Sequence, residues 1–106
     1  MKEFIMQIQH TSRHEVHATQ AVKDHIEDKL QRCLGVFPRL ENVHVILDHE
    51  ARLHVAEVVV QASGHIRLSA KEKSENLYDA IDRAIEHMER QLRRERDKLT
   101  NHRRKS

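Results

Sequence analysis

Cysteine, glycine and proline are scarce in this sequence of 106 residues, which contains one, two and one of them respectively. The single thiol, Cys33, cannot form an intramolecular disulfide, and such cysteine usage is typical of a reducing cytoplasm. Two glycines leave little material for a loop that cradles phosphates, and no P-loop, GxGxxG or GxSxG motif occurs. We therefore expect no catalytic residues, no cofactor and no small-molecule substrate.

Long apolar runs and aromatic side chains are also missing. No run is long enough to span a membrane and the N-terminus does not resemble a signal peptide, so we expect a cytoplasmic protein without a membrane partner. The aromatic residues are Phe4, Phe37 and Tyr78. Modules that read single strands stack bases on exposed aromatic rings. A nucleic acid would therefore be recognised here by its phosphates and its shape, which favours structured RNA.

Charge is plentiful but unevenly distributed. The formal net charge is +2, yet residues 83–106 hold nine Lys and Arg against four Asp and Glu. The rest of the chain holds ten Lys and Arg against thirteen Asp and Glu, so the two parts carry +5 and −3. Such asymmetry favours a polyanionic partner for the end of the chain.

Hydrophobic periodicity predicts a single α+β domain in the order β-α-β-β-β-α. Strands are predicted over residues 3–10, 42–50, 53–62 and 65–71, the middle two joined as a hairpin. The first helix is predicted to begin after an N-cap at Thr19 and to end at Gly35, and the second to be capped by Ser74. Sheets of this kind bury one face beneath their helices and leave the other in water.

The second predicted helix carries two separate stripes. Apolar residues recur at helical spacing, at Leu77, Ile81, Ala84, Ile85, Met88, Leu92 and Leu99. A second, basic stripe consists of Arg83, His87, Arg90, Arg94 and Lys98. A helix that packs with one side and presents cations on another indicates an anionic partner, of which phosphate backbones are the commonest. The alternative is a solvated helix end whose cations complement the macrodipole.

The ten histidines do not form a standard zinc pattern. His14 and His17 lie three residues apart, but no cysteine or carboxylate accompanies them at the spacing of a structural zinc site. His44, His54 and His65 alternate with apolar residues, which predicts that they lie on the wet face of the sheet. We therefore expect surface histidines and no metal site.

Several segments together resemble the bacterial family of ribosome hibernation-promoting factors, which includes the ribosome-associated inhibitor called protein Y and was once named for sigma-54 modulation. The resemblance covers nearly the whole chain and includes the predicted element order. Its segments are residues 77–82 (LYDAID), 90–92 (RQL), 96–99 (RDKL), His102, residues 26–30 (IEDKL) and Phe37. The set is fairly specific, whereas each segment alone is weak.

The resemblance implies a four-stranded sheet with two roughly parallel helices on one face, similar to a double-stranded-RNA-binding domain. It implies binding to the small ribosomal subunit near the decoding site, in the channel for messenger and transfer RNA, and inhibition of translation in stationary phase or under stress. Carried over by position, the residues that face ribosomal RNA phosphates would be Lys23, Lys29, Arg83, Arg90, Arg94, Arg96 and Lys98. Charge and expected location add Arg32, Lys71 and Arg93.

The chain resembles the short form of this family. We expect residues 1–100 to form the ribosome-binding domain and residues 101–106 to form a disordered basic tail. The resemblance implies that a short form works beside a separate small modulation factor to pair ribosomes. Whether this chain promotes ribosome dimers or only silences single ribosomes stays open. The residues by themselves leave two alternatives, a generic binder of structured RNA and a protein-interaction module.

Overall fold

The element order of the molecule is the predicted one. A computed structural model describes residues 6–14 and 16–105, with side chains up to residue 98. The elements are β1 (Gln7–Ser12), α1 (Gln20–Leu34), β2 (Leu40–Glu50), β3 (Leu53–Ala62), β4 (Ile66–Ser74) and α2 (Leu77–Lys105). The predicted β-α-β-β-β-α order is thereby confirmed, as is the α+β class.

The four strands form one mixed sheet in the order β1-β2-β3-β4. β1 and β2 are parallel, and α1 is the crossover between them, because parallel neighbours cannot be joined by a tight turn. β2, β3 and β4 form an antiparallel meander, which contains the predicted hairpin of the two middle strands. The turn between β3 and β4 contains Gly64 at a φ of 83° and His65 at 64°, a region of backbone space that glycine enters without steric cost.

A single buried cluster joins both helices to one face of the sheet. On α1 it contains Val22, Ile26, Leu30 and Leu34, and on α2 it contains Ala80, Ile81, Ala84, Ile85, Met88 and Leu92. The sheet contributes alternate residues of its central strands, namely Val43, Val45 and Leu47 on β2 and Ala56, Val58, Val60 and Ala62 on β3. Strand side chains alternate between faces, so the remaining residues of the sheet point away from the helices.

The two helices begin at different kinds of cap. Thr19 caps α1 as predicted, since its side-chain oxygen accepts a hydrogen bond of 3.2 Å from the Val22 backbone N–H. The prediction of Ser74 as the cap of α2 is wrong, because Asn76 Oδ1 accepts the backbone N–H of Asp79 at 3.0 Å. Ser74 still belongs to β4, where it pairs with a residue of β3, and its hydroxyl donates to Asp79 Oδ2 at 2.8 Å.

Some predicted boundaries differ from the observed ones. β1 extends to Ser12 instead of residue 10, and the predicted strand residues 3–5 lie outside the described residues. β4 extends to Ser74 instead of residue 71, because β3 is long enough to pair with it that far. The tail expected over residues 101–106 is helical through Lys105, within a segment that contains no glycine or proline to stop a helix.

Candidate nucleic-acid interface

The basic stripe of α2 lies away from the buried cluster. Arg83, Arg90, Arg94 and Lys98 are exposed, and His87 is half-buried. At 100° per residue these five side chains occupy one sector of the helix, well removed from Ile81, Ile85, Met88 and Leu92. The apolar side of α2 packs against β3 and β4 and thereby holds the stripe outward on a rigid element.

Two members of the stripe have no partner within the described part of the chain. Arg90 and Arg94 form no ion pair or hydrogen bond there, although they lie one helical turn apart. Arg83 forms an ion pair of 3.0 Å with Asp79, and Lys98 lies 3.6 Å from Glu95. Like charges at i,i+4 repel by a few tenths of a kcal/mol. Among the described members of the stripe, Arg90 and Arg94 are therefore two neighbouring cations whose repulsion no carboxylate of the protein offsets.

His87 is the member of the stripe that ties α2 to the sheet. Its Nδ1 lies 2.9 Å from Glu72 Oε2 on β4. One turn further, Gln91 Nε2 donates a hydrogen bond of 2.7 Å to the backbone carbonyl of Ser69. β4 is an edge strand, so this bond covers one of its unpaired carbonyl groups. Sequence reasoning missed both contacts, because neither pair is close in the chain.

The flank of α2 that faces α1 carries carboxylates that contact a lysine and a histidine of α1. Lys29 Nζ lies 2.8 Å from Glu86 Oε2, and His25 Nε2 lies 2.7 Å from Asp82 Oδ1. The hydrogen bond to Glu86 raises the pKa of Lys29, and burial opposes it with a smaller effect. Lys29 thus links the two helices through an ion pair, and the carboxylate of Glu86 compensates its charge.

The other cations expected at the site are distributed over several surfaces. Lys23 is half-buried on α1, whereas Arg32 pairs with Asp28 at 3.1 Å. On α2, Arg93 pairs with Glu89 at 2.8 Å. Arg96 lies 5.6 Å above the ring centre of Phe37 and 3.9 Å from Asp97. The structure thus brings Arg83, Arg90, Arg94 and Lys98 together, and it leaves Lys23, Lys29 and Arg32 on the other helix.

Lys71 lies on the opposite side of the sheet from α2. It is the cross-strand partner of Glu57, and both alternate with the buried residues Val58 and Ala70. Strand periodicity therefore directs Lys71 toward the face that carries no helix. It does not belong to the same surface as the basic stripe.

Among the described side chains, four histidines pair with carboxylates from another element or loop. Besides the contacts of His25 and His87, His10 Nε2 lies 3.2 Å from Glu27 and His14 Nδ1 lies 2.6 Å from Asp48. The hydrogen bond from His14 is the largest of several effects that lower the pKa of Asp48. These pairs join residues 15 to 57 positions apart, so no spacing in the sequence indicates them.

The prediction for the strand histidines holds for one of the three. His44 lies on the helix-free face, since it alternates with Val43 and Val45 of the core. His54 shares its face of β3 with the core residue Ala56, and His65 lies in the turn before β4, so for these two the prediction is wrong. His65 lies in a turn, where the alternation of strand side chains does not apply. His54 is two residues from the core residue Ala56, so both point toward the helices.

Three further properties of the described residues are metal ligation, the state of the thiol and the length of apolar helices. Among the side chains of residues 6–14 and 16–98, no three His, Cys, Asp or Glu groups lie close enough to hold a metal ion. Burial raises the pKa of the Cys33 thiol, which therefore stays protonated at neutral pH. No helix in the described part of the chain is both long and apolar enough to cross a membrane.

The molecule is thus a small α+β domain with a mixed sheet and a basic helix packed on one side of it. The chain belongs to the family described as sigma 54 modulation protein / S30EA ribosomal protein, whose model matches residues 8–100. The resemblance found in the sequence is thereby confirmed at the level of the family.

Individual relatives agree with this assignment. The ribosome hibernation promoting factor of Salmonella typhimurium is 31% identical to the chain over 89 residues, which are 84% of this chain and 93% of the relative. The ribosome hibernation promotion factor of a Picosynechococcus species is 36% identical over 86 residues, which are 76% of this chain and 44% of that protein. The N-terminal domain of Thermus thermophilus Protein Y superposes with a TM-score of 0.74 at 30% identity, over 84% of this chain and 98% of that domain.

Proposed function

We propose that this protein is a ribosome hibernation factor. It binds the small ribosomal subunit near the decoding centre through ribosomal RNA phosphates and blocks the binding of messenger and transfer RNA. It acts in the cytoplasm in stationary phase or under stress, and it promotes or stabilises inactive ribosomes. Its mechanism is steric occlusion, which needs no catalytic residue and no cofactor. The names of the relatives support the hibernation role.

The observation that carries this proposal is the pair of uncompensated arginines on the outer side of α2. Arg90 and Arg94 are exposed, one turn apart and without an internal carboxylate partner among the described residues. A phosphate that approaches them removes their mutual repulsion and releases condensed counterions, so binding becomes favourable and sensitive to salt. Arg83 and Lys98 extend the same surface to both sides.

The shape of the domain supports recognition of folded RNA. The described aromatic side chains offer little for base stacking, since Phe37 is buried and Tyr78 is the one aromatic residue of the described part that is exposed. A rigid helix with cations at intervals of three or four residues fits phosphates held at fixed positions, as in a structured RNA. Within the proposal, the domain occupies the channel as a preformed body.

The experiment that tests the proposal is co-sedimentation of the purified protein with bacterial ribosomes on sucrose gradients over a salt series. We expect the protein to migrate with the small subunit and with whole ribosomes, to dissociate as salt rises, and to be displaced by transfer RNA. Ribosomal proteins without ribosomal RNA serve as the control and should not retain it.

Each outcome separates the alternatives. Retention that transfer RNA does not compete would contradict binding in the decoding channel. Equal binding to a plain RNA duplex would favour the generic binder of structured RNA. A protein that stays at the top of the gradient at low salt would refute the ribosome as partner. A shift of ribosomes to dimers, alone or with a separate ribosome modulation factor, would support the promotion of ribosome pairing.

A further inference from the structure

The helix-free face of the sheet carries two adjacent rows of polar residues near the start of β2. The register of the sheet defines the rows: Gln7, Asn42, Gln61 and Arg67 are cross-strand partners in one, and Gln9, His44, Val59 and Ser69 in the other. Neighbouring strands lie about 4.8 Å apart, so each row spans roughly 15 Å. All of these residues except Val59 are polar.

The rows enclose a shallow groove of about 250 Å³, which is lined by Gln9, Asn42, His44, Val59, Gln61 and Arg67. No carboxylate lines it. The nearest carboxylates in the strands are Glu41, which is exposed at the β-bulge just before Asn42, and Glu57, which lies one row further and is the cross-strand partner of Lys71. The groove therefore combines one guanidinium group with several amide groups and one imidazole.

The polar groups of the groove are available to a partner. Within the described residues, the side chains of Gln9, Asn42, Gln61 and Arg67 form no hydrogen bond or ion pair, and Gln9, Gln61 and Arg67 are exposed. His44 is engaged on one side, where its Nε2 lies 2.7 Å from Thr11 Oγ1. The surface thus has a fixed strand scaffold and side chains whose donors and acceptors face solvent.

We propose that this groove, defined by Gln9, Asn42, His44, Gln61 and Arg67, binds the sugar–phosphate backbone of a second RNA strand. Arg67 matches a phosphate, because its planar guanidinium group donates two parallel hydrogen bonds to an anionic oxygen pair. The amide groups donate to phosphate oxygens and both donate to and accept from a ribose 2′-hydroxyl. A protein partner fits less well, since the centres of protein interfaces are rich in apolar and aromatic groups and this groove has only Val59.

This inference rests on the proposed function and extends it. The basic stripe lies on the helix side of the domain and the groove on the opposite side, so one RNA surface cannot reach both. A domain that enters a channel of ribosomal RNA would be held by phosphates from two sides. The groove then sets how deeply and in which orientation the domain is seated.

Two variants and one control test the groove by affinity. Arg67→Gln removes its cation, and Gln61→Glu adds a carboxylate, whereas Arg52→Gln removes the same charge from the exposed turn between β2 and β3. All three positions are exposed, so thermal unfolding should confirm intact folds. We expect Arg67→Gln to weaken binding to the small subunit and to lower the salt slope by about one. Gln61→Glu should weaken binding further, and Arg52→Gln should bind as the wild type does.

A tethered probe identifies what the groove touches. An iron chelate is attached to Ser69→Cys at the end of the second row, in a Cys33→Ala background, and a parallel sample carries it at Asp97→Cys, an exposed position of α2 beside the stripe. Hydroxyl radicals from the Ser69 site should cleave ribosomal RNA at positions different from those cleaved from the Asp97 site.

The outcomes separate this inference from the proposed function. Cleavage from the Asp97 site alone, together with unaltered binding of Arg67→Gln, would overturn the groove and leave the proposed function standing. Weakened binding of Arg67→Gln with an unchanged salt slope and no cleavage from Ser69 would overturn it in favour of a protein partner. Absence of binding by the wild type would contradict the proposed function itself.

Discussion

Neutralising the two uncompensated arginines of α2 should weaken ribosome binding without harming the fold. The double variant Arg90→Gln, Arg94→Gln removes two cations that have no internal partner among the described residues. Both side chains are exposed on the far side of the helix from the core. Relief of their i,i+4 repulsion should leave the free energy of unfolding unchanged or raise it by roughly 0.2–0.5 kcal/mol.

The size of the binding effect follows from how many RNA phosphates the double variant no longer neutralises. Each phosphate neutralised by a cation contributes about 0.7 to 0.9 to the slope of log affinity against log salt, so two of them contribute about 1.4 to 1.8. Over a roughly fourfold rise in salt, the wild type should therefore lose about 7- to 12-fold more affinity than the variant. Quantitative co-sedimentation with small subunits at several salt concentrations measures both slopes.

A control of equal charge separates direct phosphate binding from general electrostatic attraction. Arg32→Gln, Arg93→Gln removes the same two charges, but these arginines already pair with Asp28 and Glu89. Because their donors are shared with carboxylates, we expect the control to change the slope by less than the Arg90 and Arg94 variant does. Equal slopes for the two variants, or an unchanged slope for both, would refute the assignment of the stripe.

Three further predictions concern the stability of the fold. Leu30 is fully buried between α1 and the sheet, so Leu30→Ala should lower the free energy of unfolding by about 2–5 kcal/mol in urea titrations, and a loss below about 1 kcal/mol would mean that this site is not close-packed. Asn76→Ala removes the cap of α2 and should cost about 0.5–2 kcal/mol by the same measurement, with no effect expected if Ser74 were the true cap. The pKa of Asp48 is lowered in the folded state, so its carboxylate stabilises the fold at any pH above the ordinary pKa of 3.8. That contribution is lost as the pH falls through the lowered pKa. Asp48→Asn should therefore lose less stability on acidification than the wild type, as followed by thermal unfolding; parallel curves would contradict the lowered pKa of Asp48.

Local pattern was enough to predict the elements and their buried sides. Alternation in β2 and β3 and the helical recurrence of Ile81, Ile85 and Met88 are properties of short segments, because burial on one side of a strand or helix selects residues at fixed intervals. For the same reason the basic stripe could be found from the sequence, and so could the cap at Thr19. The boundaries of β4 and the cap at Asn76 could not, because they depend on how far β3 pairs with β4.

The sequence by itself determined the order of the elements, the core stripes and the asymmetric distribution of charge. Only the tertiary structure decided which cations are uncompensated. Lys29 and Glu86 are 57 residues apart, and the packing of α1 beside α2 alone brings them to 2.8 Å. The polar groove likewise depends on strand register, which aligns Gln9, His44, Gln61 and Arg67 from four separate strands. Periodicity is a local consequence of burial. Ion pairs between helices and a groove built from four strands join distant segments, so they exist only once the chain has folded.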